Sequence, residues 1–533
     1  MNSRKNDILQ HIPRADLSPR QAALRPDVDY LPVYTLRKEP THLEEIDWTY
    51  YRDKMMIWRD NGSVILIHHG CSKLPRRDVF LTYYNETKYC IECSIYGETD
   101  KAVAETVAFW SSLQVDDTTW LRIEAKRSSF MALSAAQVTQ ILEANPARLL
   151  VITEGVLSVE QSVVLATRSV PLYVKLVGCP FPDKGIAFID ALKKRHSSFG
   201  ALQLKIDTED IPYLNQLLQL HVFETLVINS LYAPFSFRPL CAPVKTLEYE
   251  VYGDLLRRQD FSSLNIVAKD LKITFLLDDD DNWSGILVAF LNRVAALGHF
   301  ERLTLSIDYW WNEGLEDFDL DDQFTVQQVA PVADALVRAI QANPHLKHLD
   351  VGRTHCRLDW APHLQRIFQA LEDHPALRTV VVQGHTPQKY ADDNQWEHEE
   401  FERMFRFDDA WLERLLSRNR NLTVLNNSGD IYTNGSSIDK IYALNRFYHG
   451  SASLVQEFTT WRPLLLATAL VSSTSLQYTS LLLSDHTDLL CEFIQEIDTC
   501  DSLDAPCRIP DRAKRKLRIQ PPRAVKRVAR DDS

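Results

Sequence analysis

A phrase recurs through the middle of this 533-residue chain: an amphipathic helical run, a polar break, then a short apolar strand. Its clearest copies are residues 140–153 (QILEANPARLLVIT), 339–352 (AIQANPHLKHLDVG) and 370–383 (ALEDHPALRTVVVQ). A unit of this size cannot bury its apolar face alone, so several copies must stack side by side into a solenoid. That requirement constrains architecture strongly and chemistry hardly at all.

Eleven strands are predicted in the array, at 120–124, 149–152, 172–177, 202–206, 225–228, 246–251, 271–276, 303–307, 346–351, 379–382 and 422–425. Their starts lie roughly 20 to 30 residues apart, with two wider gaps. Polar insertions account for those gaps, at 312–324 (NEGLEDFDLDDQF) and 384–399 (GHTPQKYADDNQWEHE). Helical runs between strands, such as 326–342 and 362–372, place apolar residues at i, i+3, i+4 and i+7. Strands joined by helical crossovers pair in parallel, so the class is α/β, with parallel strands on one side and helices on the other.

The flanks differ from the array. Residues 1–45 are polar and Pro-punctuated and read as a mostly flexible arm. Residues 46–115 contain three strand-like runs, 62–68 (GSVILIH), 78–84 (DVFLTYY) and 88–96 (KYCIECSIY), the last two separated by the turn Asn85-Glu86-Thr87 in the manner of a hairpin. A helix follows over 101–113, with Val103, Val107 and Trp110 at helical spacing. This small β-meander plus helix is expected to cap the exposed edge of the first repeat. The solenoid then spans 116–430, a helical C-terminal cap 431–500, and a basic disordered tail 501–533.

Composition narrows the setting. A formal charge of −13 argues against a chain that coats nucleic acid along its length. Nine cysteines, sparse and irregular, do not form a disulfide framework and fit a reducing compartment. The N-terminus lacks an apolar signal core, and no apolar run approaches the ~20 residues a bilayer span needs. The expected location is the cytoplasm, with the nucleus as an alternative.

The phrases 344–351 (PHLKHLDV), 375–382 (PALRTVVV), 300–307 (FERLTLSI) and 222–229 (VFETLVIN) resemble the leucine-rich repeats of the ribonuclease-inhibitor-like class, over about 300 residues. Repeats of that class continue past the strand with a polar Asn or Cys at a fixed offset. Here that position is irregular: His355 and Cys356 follow one strand, and Asn229 sits early in another repeat. The resemblance implies a horseshoe with strands inside and helices outside, and partner binding across the concave face or the rim loops.

Candidate sites are few. Cys71, Cys90 and Cys93, with His68 and His69, are the one set resembling a zinc site. Cys90 and Cys93 fall three apart within a strand, where side chains point to opposite faces, so buried or idle thiols are the plainer reading and no cofactor is expected. Asp278–Asp281 lacks the alternating ligands of a calcium loop and reads as solvated, as does the insertion with six acidic residues between Glu313 and Asp322. Tyr309, Trp310 and Trp311, at a strand's end beside that insertion, suit a binding rim or core packing. In 346–351 the apolar Leu346, Leu349 and Val351 are the expected inward set, which leaves Lys347, His348 and Asp350 for solvent or a partner. In 303–307 alternation turns Thr304 and Ser306 outward. Between Arg508 and Arg530 stand ten Lys or Arg and one acidic residue. Lys514, Arg515, Lys516, Lys526 and Arg527 there resemble a nuclear-import signal, with nucleic-acid contact as another reading of the tail. No phosphate-binding glycine loop, nucleophile elbow or H-E-x-x-H metal motif occurs. The expectation is a non-enzymatic scaffold that binds another protein, with a substrate-recognition adaptor of a ubiquitin ligase as the alternative.

Overall fold

The computed structural model describes residues 8–23, 31–46, 54–69, 79–85, 89–116, 118–125, 130–205, 212–229, 231, 236–277, 283–309, 326–352, 360–382, 409–456, 462–492 and 494. They divide into two compact units, Met1–Thr433 and Asn434–Ser533.

The first unit is α/β and is organised by one sheet of 17 strands. Eleven of them form an unbroken parallel run: β7 (Trp120–Ala125), β8 (Leu149–Thr153), β9 (Leu172–Val177), β10 (Gly200–Lys205), β11 (Phe223–Ile228), β12 (Thr246–Tyr252), β13 (Asp270–Leu277), β14 (Arg302–Tyr309), β15 (His348–Asp350), β16 (Thr379–Val381) and β17 (Thr423–Leu425). Each pairs with the next in sequence, and all these pairings are parallel. The arrangement is compatible with a solenoid-like α/β fold. Every strand expected between 120 and 425 has a counterpart, although β15 to β17 are cut to three residues each.

Connecting helices start where the sequence offers caps. Ser134 and Ser158 each accept a backbone N–H three residues on, while Gln137 and Gln161 return the bond at 2.8 Å, opening the helices Ala135–Ala144 and Val159–Thr167. Buried Val138, Ile141 and Leu142 form the apolar face of the first. Between repeats, aromatic rings hand contact from one to the next: Phe188 lies 6.3 Å from Phe199, and Phe199 lies 5.4 Å from Phe223. Further along, Phe290 touches both Phe261 and Phe275. Each such pair contributes about 0.5–1.5 kcal/mol beyond its buried area.

The polar break of the repeated phrase proves to be structural. Asn343 is 1% exposed; its Oδ1 accepts the Phe300 N–H at 3.0 Å, and its Nδ2 donates to the carbonyls of Ala339 at 2.7 Å and Val294 at 3.3 Å. Asn145 joins Val115 and Leu113 in the same way, and Asn419 donates to Leu371 and His374. His374 accepts the Leu377 N–H on Nδ1, which leaves Nε2 as the donor to the Asn343 carbonyl at 3.0 Å. Burial holds its imidazole below the usual pKa. Side chains at this break therefore satisfy the carbonyls at the end of the preceding helix, groups a helix cannot satisfy itself. The fixed polar position sits before the strand, which is why the turn after the strand could be irregular in sequence.

The N-terminal region departs from expectation in two ways. Within 46–115 there are four strands, β3 (Lys54–Trp58), β4 (Ser63–His69), β5 (Val79–Asn85) and β6 (Tyr89–Gly97), and not three. Antiparallel pairing places them in the order β3, β4, β6, β5, so β6 lies between β4 and β5 and the layout is not a simple meander. β5 then pairs antiparallel with β7 and joins this region to the first repeat. The helix Asp100–Ser111 starts at Thr99, which accepts the Ala102 N–H, and buries Val103, Val107 and Trp110.

The first 45 residues, expected as a flexible arm, contribute β1 (Leu9–Ile12) and β2 (Val33–Leu36). These pair antiparallel with each other, and β2 continues the sheet parallel to β3. Leu31 and Val33 join Met56, Trp58, Val64, Leu66, Phe80 and Tyr96 in one apolar cluster. Four-residue strands carry too little periodicity to be recognised alone; pairing and burial against the sheet order them.

The second unit contains the helices Ser437–Gln456, Arg462–Ser472 and Leu476–Asp485. Its apolar centre is Leu466, Leu482 and Leu489, with Phe447 stacked on Tyr478 at 4.4 Å. Among the described residues, no helix is long and apolar enough to cross a membrane.

Candidate functional site

Alternation along the parallel strands turns one set of side chains into the core and the other to the opposite face. The inward set is apolar throughout: Leu172, Val174 and Leu176 on β9, Leu247, Tyr249 and Val251 on β12, and Leu303, Leu305 and Ile307 on β14 are all buried. The outward set stands in rows because the strands pair in register, apart from a shift between β10 and β11 at Gly200–Ala201. One row runs Tyr84, Trp120 on β5 and β7, then Leu149, Tyr173, Ala201, Thr225, Thr246, Asp270, Arg302 and His348. Tyr84 and Trp120 pack with ring centres 5.0 Å apart.

Charge on this face is unevenly distributed. From β12 onward several ionised groups are tied to neighbours. Lys272 pairs with Glu248, and Glu250 accepts from Asn229 Nδ2 at 3.0 Å. At the strand entrances Glu301 sits between Lys269 at 3.3 Å and Lys347 at 2.7 Å. Those two lysines hold the Glu301 carboxyl below its ordinary range. The Glu250 carboxyl is instead pushed up, first by burial and then by Glu248, with Lys205 and Lys272 opposing. On β7, Arg122 and Glu124 lie 2.8 Å apart.

β9 and β10 differ. Lys175 and Lys205 point to the same face and have no carboxylate within ion-pair distance among the described residues. Beside them Tyr173 is 44% exposed, the one large apolar strand residue so exposed among those described. β10 opens with Gly200 at φ +96°, where an added Cβ would come within 2.3 Å of the Leu172 carbonyl oxygen. Glycine is required there by both backbone conformation and the approach of β9. With Ala201 next, the surface beside Tyr173 is shallow.

Several expected site residues fall elsewhere. Leu346, Leu349 and Val351 are all buried; alternation accounts for Leu349 and Val351, while Leu346 precedes β15 and packs before the strand begins. Lys347 is exposed but engaged by Glu301, and His348 is half-buried in the outward row. Asp350 is not a free surface group: it is 2% exposed, and its Oδ1 accepts the Gly352 N–H at 3.1 Å. β15 ends at Asp350, and the carboxylate is consumed in turning the chain out of the sheet. Ser306, expected outward with Thr304, is likewise buried between neighbouring strands, whereas Thr304 is half-buried. Tyr309 ends β14 opposite Leu277, while Trp310 and Trp311 lie outside the described residues.

Cys93 is buried on β6, and burial pushes its thiol up; Cys90, three residues earlier, is half-buried. Cys71 lies outside the described residues, as do Asp278–Asp281, the acidic stretch 313–322, and Lys514, Arg515, Lys516, Lys526 and Arg527. Among the described residues, no group of three or more His, Cys, Asp or Glu could hold a metal ion. Cys179, raised to about 11 by burial, is a poor nucleophile.

Tyr173, Lys175, Lys205, Glu248 and Glu250 were not singled out in sequence. Their signal was present in the alternation of LYVKLV, GALQLK and TLEYEVY. No protein-family model matches the chain, and no curated protein matches it.

Proposed function

We propose that this protein is a non-enzymatic interaction scaffold whose partner, another protein, lies across the outward face of the parallel strands. We further propose that the repeats are divergent members of the leucine-rich, ribonuclease-inhibitor-like class, with that face as the concave one. The observation carrying the reading is the outward face of β7 to β14, which presents Tyr173 and two lysines with no ion-pair contact among the described residues over a packed apolar layer. A rigid sheet holds such groups at fixed spacing with little ordering entropy to lose on binding. Exposed Tyr beside charge is the composition of interface hot spots. The mixed signs on the face favour a protein over a polyanion.

The test is site-specific photo-crosslinking in native extract. A photoreactive residue at Tyr173 is expected to capture a discrete partner, whereas one at Ile186, 62% exposed on a connecting helix, is expected to capture none. Equal capture from both positions would refute the assignment of the binding face.

A further inference from the structure

The partner's chemistry can be drawn from β9 to β11, a deduction that rests on the outward face being the binding face. Tyr173, Ala201 and Thr225 occupy one cross-strand row, so an exposed ring stands beside a methyl-sized floor with a short hydroxyl on the far side. Lys175 lies two residues beyond Tyr173 on β9, and Lys205 four residues beyond Ala201 on β10. At about 3.3 Å per residue and 4.8 Å between strands, the lysine Cα atoms are about 8 Å apart, in successive rows. Carboxylates pair with Lys272 on this face and with Lys269 and Lys347 at the strand entrances, through Glu248 and Glu301, whereas Arg302 has no such partner among the described residues. Lys175 and Lys205 make no ion-pair contact among the described residues, and only the more distant Glu250 acts on Lys205.

We propose that this surface receives an extended acidic segment of the partner, running along the strands, with an apolar side chain over Ala201 against Tyr173 and carboxylates at the second and fourth residues beyond it. Alternate side chains of an extended chain repeat every 6.6–6.8 Å or so, which matches the row spacing, and flexible lysine stems absorb the remainder. Both lysines reach solvent, so their ammonium groups meet the carboxylates without the full cost of burial. Affinity for one short segment is therefore modest and salt-dependent.

The full chain is titrated with a labelled heptapeptide, Gly-Leu-Ser-Glu-Ser-Glu-Gly, and with the same peptide carrying Lys for Glu, by fluorescence anisotropy at low and physiological salt. Binding of the Glu peptide is expected, weakening as salt rises, with the Lys peptide at least tenfold weaker. The Lys175→Glu/Lys205→Glu double variant is expected to reverse that preference at an unchanged thermal midpoint, and Tyr173→Ala to weaken both interactions several-fold. The proposal is overturned by equal binding of the two peptides to the wild type. It is equally overturned by no binding at millimolar peptide, or by a double variant that still prefers Glu. A discrete crosslink at Tyr173 together with any of these results would leave the binding face standing and remove only the acidic partner.

Discussion

Replacing Asn343 with alanine tests whether the polar break of each repeat stitches the array together. In the structure Asn343 satisfies a buried amide, that of Phe300, and two helix-end carbonyls. Truncation strands the Phe300 N–H in the core, costing about 1–3 kcal/mol, and removes the 2.7 Å bond to Ala339, worth about 0.5–1.5 kcal/mol. The 3.3 Å contact to Val294 adds little. The total, about 2–4 kcal/mol, corresponds to roughly 30- to 700-fold faster opening at 1.4 kcal/mol per tenfold. Because the chain has two units, bulk melting mixes their transitions, and local hydrogen exchange is the cleaner readout. Amides of Leu303 and Leu305 on β14 are expected to exchange faster by that factor, while those of the second unit stay unchanged. Asn343→Asp would keep an acceptor for Phe300 but bury a carboxylate against two carbonyls, and should be worse at pH 7 than alanine, recovering in acid. Exchange on β14 within threefold of wild type for Asn343→Ala would refute the stitching role.

Leu349→Ala, at a fully buried position on β15, is expected to cost about 2–5 kcal/mol through lost contacts and the cavity left behind; a denaturation curve of the first unit that overlays wild type would show that the position is not core. The second unit should be acid-sensitive. His486 is buried, accepts from Arg462 Nη2 on Nδ1 at 3.1 Å, and lies 3.3 Å from Ser451 Oγ through Nε2. Arg462 is held by Asp488, and Ser451 also reaches Asp485 at 3.2 Å. Arginine only donates, so Nδ1 must stay unprotonated. Burial and then Arg462 lower the folded-state pKa against the pull of Asp485 and Asp488. The unfolded chain therefore takes up the proton first, and stability present above about pH 6.5 is lost as pH falls below it. Thermal scans of the wild type should show that loss and His486→Gln should flatten it; an NMR titration of folded His486 centred near 6.5 would contradict the argument.

Much of the scaffold was legible because its driving force is local. A helix period followed by a strand, repeated, admits few arrangements, and each crossover dictates parallel pairing. All eleven array strands, the antiparallel pairing of β5 with β6 and the helical character of the second unit were readable in this way. β1, β2 and β3 were not: LQHI, VYTL and KMMIW are too short or too uniformly apolar to declare a period, and neighbouring strands order them.

The site was legible only in part. Alternation within β15 predicts correctly that Leu349 points in, but groups Asp350 with His348 on the outward side. Whether an outward carboxylate meets solvent, a lysine or the next turn depends on register with strands 20 to 50 residues away in sequence, a quantity no local pattern contains. The same holds for Lys175 and Lys205, which are ordinary surface lysines in sequence and become conspicuous only beside Tyr173 on the assembled sheet, where Lys272, Lys269 and Lys347 have carboxylates at ion-pair distance and these two do not among the described residues. The repeated apolar periods determined by themselves that this chain builds a parallel α/β array. Tertiary structure alone decided which of its charges remain unanswered, since pairing is set by distances across strands that the order of residues does not encode.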